Sequence, residues 1–403
     1  MSELTASRPN WLNPEVHQLV NEHVSVNAHE TAYFAYHLDA LAAHLEKLQS
    51  QDVIKLWFAV KANPLSRVIS TLHKAGFNFD VASSGELQQV LEQGVPPENI
   101  LNTGPAKSYA HFEHCLAKGV NTFVVESISQ LAWLELAASK LRKTPRVLLR
   151  VQLQWPDGEK NPLGGNELTP FGLSVDEWQS ISPNDYPSLN VCGLHIFQWG
   201  NMLSNDTMYN LWQQMVPPLV NLAESLNFSL EILDLGGGLG IDYLSKGQTL
   251  SWDRIVNDLA KIKAEAGVKE LWLELGRYAV AECGYYVVPV VDRKSNYQSE
   301  QLVLAAGINH LLRPAITGQP FPATLVRQSA EQARDFHVHG PLCTSMDKLG
   351  ELALPEDVAV GDKLIFGYSR AYGFTESMPF FLCHQIAAEY VIENEELIEV
   401  RQA

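Results

Sequence analysis

Hydrophobic positions follow two rhythms along this chain. From Val53 onward, short apolar runs alternate with stretches of helical period. The runs Leu56–Val60, Phe77–Val81, Asn99–Leu101, Thr122–Val125, Arg146–Val151, Val191–Phe197, Glu231–Leu235 and Leu271–Leu275 predict strands. Such runs are continuous rather than alternating, so both faces of each strand are covered, as in a parallel sheet. Ser66–Ala75, Gly85–Gln93, Ser127–Leu141, Met208–Leu226 and Trp252–Ala266 carry the helical period. Eight alternations match a closed (β/α)₈ barrel, with an open doubly wound sheet as the alternative. Ahead of them, Tyr33-Phe34-Ala35-Tyr36 passes into an amphipathic helix marked by Leu38, Leu41, Leu45 and Leu48.

After Cys283 the rhythm changes. Tyr285–Asp292, Gln301–Ala306, Asp335–Val338 and Lys363–Phe366 read as short strands with no helices between them, and Gly361-Asp362 reads as a turn. The predicted division is a barrel over 30–283 and a β-rich domain over 284–403, joined by residues 1–29.

Composition narrows the function. The 403 residues are 46% hydrophobic and 19% charged, an ordinary globular balance, and the net charge of −17 argues against nucleic acid or anionic membrane as partner. A small polyanionic substrate stays compatible, because a basic pocket can sit in an acidic shell. Met1–Asn10 lacks a basic start and an apolar core, so no signal peptide is expected, and no run of eighteen apolar residues predicts a membrane span. Cys115, Cys192, Cys283, Cys343 and Cys383 are odd in number, widely spaced and free of Cys-x-x-Cys. That pattern points to a reducing, cytoplasmic setting without a structural metal.

The chemistry stands at the strand ends. Lys61 follows the first run, Asp80 lies in the second, Thr103-Gly104 follow the third, Glu126 the fourth, and Arg150 closes the fifth. His195 and Phe197 lie near the end of the sixth, Gly236-Gly237-Gly238 follow the seventh, and Glu274 with Gly276-Arg277 ends the eighth. In a barrel all converge on the carboxyl-terminal face. Singly, each has a bland reading. Asp80 can cap the next helix, Glu274 and Arg277 can be a surface pair, and His195 can be a satisfied core histidine. Together they describe a site for pyridoxal phosphate: an amine for the Schiff base, a glycine loop with an arginine for the phosphate, and a carboxylate for the ring nitrogen.

Here the chain resembles the fold-type III pyridoxal-phosphate decarboxylases, the ornithine, arginine and diaminopimelate decarboxylase group with an alanine-racemase-like barrel. The resemblance runs from about residue 30 to 390. It rests on Phe58-Ala59-Val60-Lys61-Ala62-Asn63, Phe79-Asp80-Val81-Ala82-Ser83-Ser84-Gly85-Glu86, Leu235-Gly236-Gly237-Gly238-Leu239-Gly240, Glu274-Leu275-Gly276-Arg277-Tyr278, Gly340-Pro341-Leu342-Cys343-Thr344-Ser345-Met346-Asp347 and Ala371-Tyr372-Gly373. It implies Lys61 as the cofactor-bonded lysine and Glu274 at the pyridine nitrogen. It implies Gly236, Gly237, Gly238, Arg277 and Tyr372 at the phosphate, with Asp80 and Arg150 also at the cofactor. It further implies a homodimer in which Cys343 reaches the partner's site.

Three departures bear on the substrate and the ring. The family's His-x-Gly-Ser is Phe197-Gln198-Trp199-Gly200 here, so Phe197 or His195 stacks on the ring, and Gly200 or a backbone amide replaces the serine. The glutamate that diaminopimelate decarboxylases carry after the cysteine is Thr344. Arg313 of Leu-x-Arg-Pro is kept, but the following tyrosine is not. Arg313, Thr344 and Asp347 are the expected substrate-binding residues. Phe380-Phe381-Leu382-Cys383-His384 resembles the tail of siderophore-pathway decarboxylases that act on citryl-diaminopropionate conjugates. The expected reaction is α-decarboxylation, with Cys343 returning the proton. Citryl-diaminopropionate is the leading substrate class. Ornithine, lysine, diaminopimelate or a carrier-bound amino acid are alternatives, as are a racemase and a cofactor-binding relative without turnover.

Overall fold

The computed structural model describes residues 8–27, 32–155, 168–244 and 246–402. Two compact units emerge. One holds residues 44–241 and 248–279, and the other holds 1–43, 242–247 and 280–403.

The first unit is a closed barrel of eight parallel strands, Ile54–Ala59, Asn78–Val81, Ile100–Asn102, Thr122–Val125, Arg146–Arg150, Asn190–His195, Ile232–Asp234 and Glu270–Leu275. The last strand pairs back on the first through Trp57↔Glu274. All eight expected strands are present, and closure settles the barrel against the open sheet. Five expected helices stand at Ser66–Lys74, Ser84–Glu92, Ile128–Leu141, Asn205–Ser225 and Trp252–Ala266. Serine caps four of them: Ser83 accepts from Glu86 N–H, Ser127 from Gln130, Ser204 from Thr207 and Ser251 from Arg254. The helix Tyr109–Ala117 was not foreseen.

The barrel is a packed core, not a pore. Trp57, Leu101, Val124, Leu148, Cys192, Ile232 and Trp272 form one buried cluster, with each residue from a different strand. Gly193 is required there, because a Cβ would lie 2.8 Å from Leu148 Cγ and 2.9 Å from Ile232 O. The Trp57 and Trp272 rings sit 4.7 Å apart, and the Lys55 ammonium lies 5.0 Å and 5.4 Å from their centroids. Trp57→Ala is expected to cost about 3–5 kcal/mol, because the neighbouring Trp272 ring, held in the barrel wall, cannot collapse into the space. A denaturant midpoint read by circular dichroism checks it.

The second unit is built on a nine-stranded sheet among the described residues. Tyr33–His37 is one of its strands, antiparallel to Gly284–Asn296 and parallel to Ala388–Glu393. So the aromatic run before Leu38 feeds this sheet, while the sequence division placed it with the barrel. The four strands expected after Cys283 are present. Ala323–Leu325, Lys348–Pro355, Ala388–Glu393 and Glu396–Arg401 were not foreseen, and a short helix, Arg313–Thr317, interrupts the expected all-strand run. The N-terminal segment contributes a helix, Pro14–Val26, capped by Asn13. Its Val16 and Val20 pack with Tyr33, Tyr285, Ile365 and Ile392. Residues 1–7 and 28–31 of the expected N-terminal piece lie outside the described residues.

Candidate active site

The first barrel strand ends at Ala59, and Lys61 follows on a 3-10 turn, Val60–Ala62. Val60 and Ala62 are buried and Lys61 is exposed, so two apolar anchors present one amine. Asp80 is buried on the second strand and accepts from the Thr103 hydroxyl. It does not cap the following helix; Ser83 does, and Glu86 accepts from Ala82 N–H at 2.7 Å. Burial first, then the charge of Glu274, push the Asp80 carboxyl up to about 7, against the pull of Lys61 and Thr103.

Arg150 closes the fifth strand, buried, with its guanidinium 3.0 Å from Glu126 Oε1 and 4.5 Å from the Phe171 ring centroid. The other Glu126 oxygen accepts from Gly172 N–H at 2.8 Å. Arg150 is thus engaged by a carboxylate and an aromatic face.

His195 ends the sixth strand inside the barrel, with Nε2 3.3 Å from Glu274 Oε1. Phe197, two residues on, is half-buried. A Cβ on Gly236 would lie 2.5 Å from Phe197 Cβ, so the ring sits directly against the glycine loop. Gly236 and Gly238 adopt positive φ of 61° and 96°. A Cβ on Gly237 would stand 2.1 Å from Glu274 O, so no other residue fits between the seventh and eighth strand ends. Arg277 opens the short helix Arg277–Val280 just beyond Glu274.

Glu274 is buried, not half of a surface pair with Arg277. Burial raises its carboxyl, but His195 foremost, then Lys61 and Arg150, outweigh burial and hold it below its ordinary value. Asp234 behind it goes the other way: burial and then the charge of Glu274 push it well up. The ligand atoms of His195, Asp234 and Glu274 lie within 4.8 Å of one another.

Two buried groups escaped the sequence reading. Lys107 donates to Gly104 O, and burial, opposed mainly by Glu126, brings its amine down to about 8. No periodicity marks it. Asp234 is the other, and its signal was available: an acid inside an apolar run, two residues before Gly236.

The remaining expected residues belong to the other unit. Cys343 is exposed and its thiol is free of disulfide. Asp347 is buried, and its two oxygens accept from Ile308 N–H and Leu342 N–H, both at 2.8 Å. Its carboxylate therefore ties down the loop that carries Cys343 and Thr344, where sequence had placed it on the substrate. Arg313 lies 3.2 Å through Nε from Glu376 and 4.4 Å over the Tyr372 ring. Tyr372 has a positive φ of 55°.

The donor set fits a pyridoxal phosphate. One exposed amine, one buried carboxylate held ionised, and a positive-φ glycine turn with an arginine beyond it are the three groups that cofactor needs. Comparison with known proteins agrees. Residues 38–281 match the family profile described as pyridoxal-dependent decarboxylase, pyridoxal binding domain. A 2-[(L-alanin-3-ylcarbamoyl)methyl]-2-hydroxybutanedioate decarboxylase of Staphylococcus aureus is 27% identical over 382 residues, 91% of this chain and 95% of that one. An L-glutamyl-[BtrI acyl-carrier protein] decarboxylase of Niallia circulans is 26% identical, covering 91% and 89%. The crystal structure of diaminopimelate decarboxylase from Helicobacter pylori complexed with L-lysine superposes with a TM-score of 0.82 at 22% identity, over 94% of this chain and 96% of that chain. That likeness carries the fold alone.

Proposed function

The chain belongs to the pyridoxal-dependent decarboxylases, and from that premise we propose that it removes the α-carboxylate of an amino-acid conjugate with an anionic distal end, of the citryl-diaminopropionate class. That it is a pyridoxal-phosphate-dependent amino-acid decarboxylase follows from the family. The finer substrate is our reading.

The observation that carries the reaction type is Glu274, a buried carboxylate kept ionised at the end of the eighth strand. When bound, the cofactor supplies an electron sink for the pair released as carbon dioxide leaves. Glu274 keeps the ring nitrogen protonated, which favours decarboxylation over racemisation, since racemases of this fold place arginine there. Lys61 anchors the cofactor. Gly236–Gly238 and Arg277 hold its phosphate. Phe197, lying against the glycine loop, is the stacking residue, because His195 is engaged with Glu274. Cys343 returns the proton to the α-carbon.

The substrate class rests on similarity along nearly the whole length to the S. aureus enzyme, whose substrate name describes an amino acid joined to a hydroxy-dicarboxylate. Thr344 and the missing tyrosine after Arg313 leave room for that bulk. The Arg313 guanidinium, oriented by Glu376 and the Tyr372 ring, is read as the fork for a distal carboxylate. Lysine cannot make two parallel bonds. Arg313→Lys is therefore expected to raise KM for the citryl conjugate by the equivalent of about 2–5 kcal/mol, with the cofactor spectrum unchanged. Wild-type kinetics in that variant would remove the anionic end from the argument.

A second reading has one specific support. The similarity to the Niallia circulans enzyme covers the chain as fully, and its name describes an aminoacyl group on a carrier protein. Carbon dioxide release across a panel of citryl-diaminopropionate, glutamyl-carrier, diaminopimelate, ornithine and lysine separates the two. Preference for a basic amino acid would sink the anionic-substrate proposal.

A further inference from the structure

The barrel interior behind Glu274 holds more titratable groups than the chemistry in front of it uses. His195 and Glu274 are in contact at 3.3 Å, with side chains only 1% and 7% exposed. Asp234 is the backbone neighbour of His195 across the sixth and seventh strands. Its Oδ1 accepts Gly236 N–H at 2.8 Å, while Gly236 O accepts Glu274 N–H at 2.6 Å. Both acids are thus tied to the first glycine of the loop. His195 Nδ1 and Nε2, Asp234 Oδ2 and Glu274 Oε1 all lack a hydrogen-bond partner among the described residues, so the 3.3 Å His195–Glu274 approach is an ion-pair contact.

We propose that His195 is a positioning residue for the reaction: its imidazole braces the Glu274 carboxylate from inside the barrel, and Asp234 carries the surplus proton of the cluster. The inference rests on the reading of Glu274 as the partner of the ring nitrogen. Two carboxylates this close and this deeply buried cannot both ionise, so one keeps a proton. Contact decides which: the imidazole touches Glu274, and the charge it stabilises is there. The groups facing His195 and Glu274 are Asp234 on the seventh strand, Arg150 on the fifth, and Lys61 and Asp80 beyond the first and on the second. Neither cation among them replaces His195. Arg150 is paired with Glu126 at 3.0 Å, and Lys61 is the amine the cofactor takes. His195 is the contact to Glu274 that the cofactor does not take.

The test compares His195→Phe, His195→Gln and Glu274→Gln, each as holoenzyme for kinetics and as apoprotein titrated with pyridoxal phosphate by fluorescence. His195→Phe is expected to lower kcat about 10- to 100-fold, the scale for removing the group that orients an active-site ligand, with KM within about threefold. It should also weaken cofactor binding and move the acid limb of the kcat–pH profile upward, because Glu274 then protonates more readily. His195→Gln keeps an N–H donor but no charge, so it should recover much of kcat and cofactor affinity while its acid limb stays displaced. Wild-type kcat, pH profile and affinity in His195→Phe overturn the brace. If His195→Phe does not fold, an unmoved acid limb in His195→Gln overturns it instead. Undiminished kcat in Glu274→Gln overturns the parent reading, whereas collapse of Glu274→Gln beside a normal His195→Phe leaves that reading and removes only the brace.

Discussion

Lys61→Ala is expected to lose its covalently held cofactor. After borohydride reduction the wild-type protein should carry pyridoxal phosphate as a stable adduct mapped to Lys61, and the variant should carry none. The expectation follows from where the amine stands. It lies exposed on a one-turn element immediately past the first barrel strand, pinned by buried Val60 and Ala62. Its charge acts on Asp80, Glu86 and Glu274, so three carboxylates sense it. Turnover should fall on the order of 10³-fold or more, as when a covalent catalyst loses its nucleophile. The informative rival is Lys107, whose buried amine is brought down to about 8 and so has a larger neutral fraction than an ordinary lysine. An adduct on Lys107 instead would move the cofactor to the third strand end and overturn the Lys61 assignment.

Cys343→Ala is expected to lower kcat by about 10²–10⁴-fold while the bound-cofactor spectrum stays normal, the range for removing a positioned proton donor. Cys343 sits exposed on a loop whose backbone is gripped by both oxygens of Asp347, so the thiol is presented by a rigid support rather than a free loop. We propose further that it serves the partner's site in a homodimer. Mixed Lys61→Ala and Cys343→Ala proteins, with subunit exchange demonstrated, should regain activity up to about a quarter of wild type, since half the dimers are hybrids and each hybrid has one intact site. No recovery would mean that each chain completes its own site.

Local pattern was enough for the barrel, and it brought the candidate site residues to its strand ends. Eight continuous apolar runs with helical stretches between them have few compact solutions. Lys61, Gly236–Gly238 and Glu274 are legible because the position just past a buried strand is where a chain leaves the core. The second unit was less legible, for a physical reason. Its strands pair across long separations, Tyr33 with Val287 and with Ala388, so no local window contains a strand together with its partner. Lys348–Pro355 mixes buried and exposed positions, Glu396–Arg401 has no buried residue, and both carry charges, so they read like loops.

What sequence alone determined is the list of chemical groups and their order around the barrel. What tertiary structure decided is which of them touch. The family motif aligned Phe197 with the ring-stacking place, and His195, two residues earlier, was its rival. The close approach of Gly236 to Phe197, and of His195 Nε2 to Glu274, puts an aromatic ring beside the loop and an imidazole beside a carboxylate, which supports the proposal of Phe197 as the stacking residue. Asp347 shared a motif with Cys343 and so read as a substrate ligand, until its oxygens were found on the Ile308 and Leu342 amides. The protonation of Asp80, Asp234 and Glu274 lies beyond any sequence pattern. It depends on distances between charges in a medium without water, and those distances exist only once the barrel has closed.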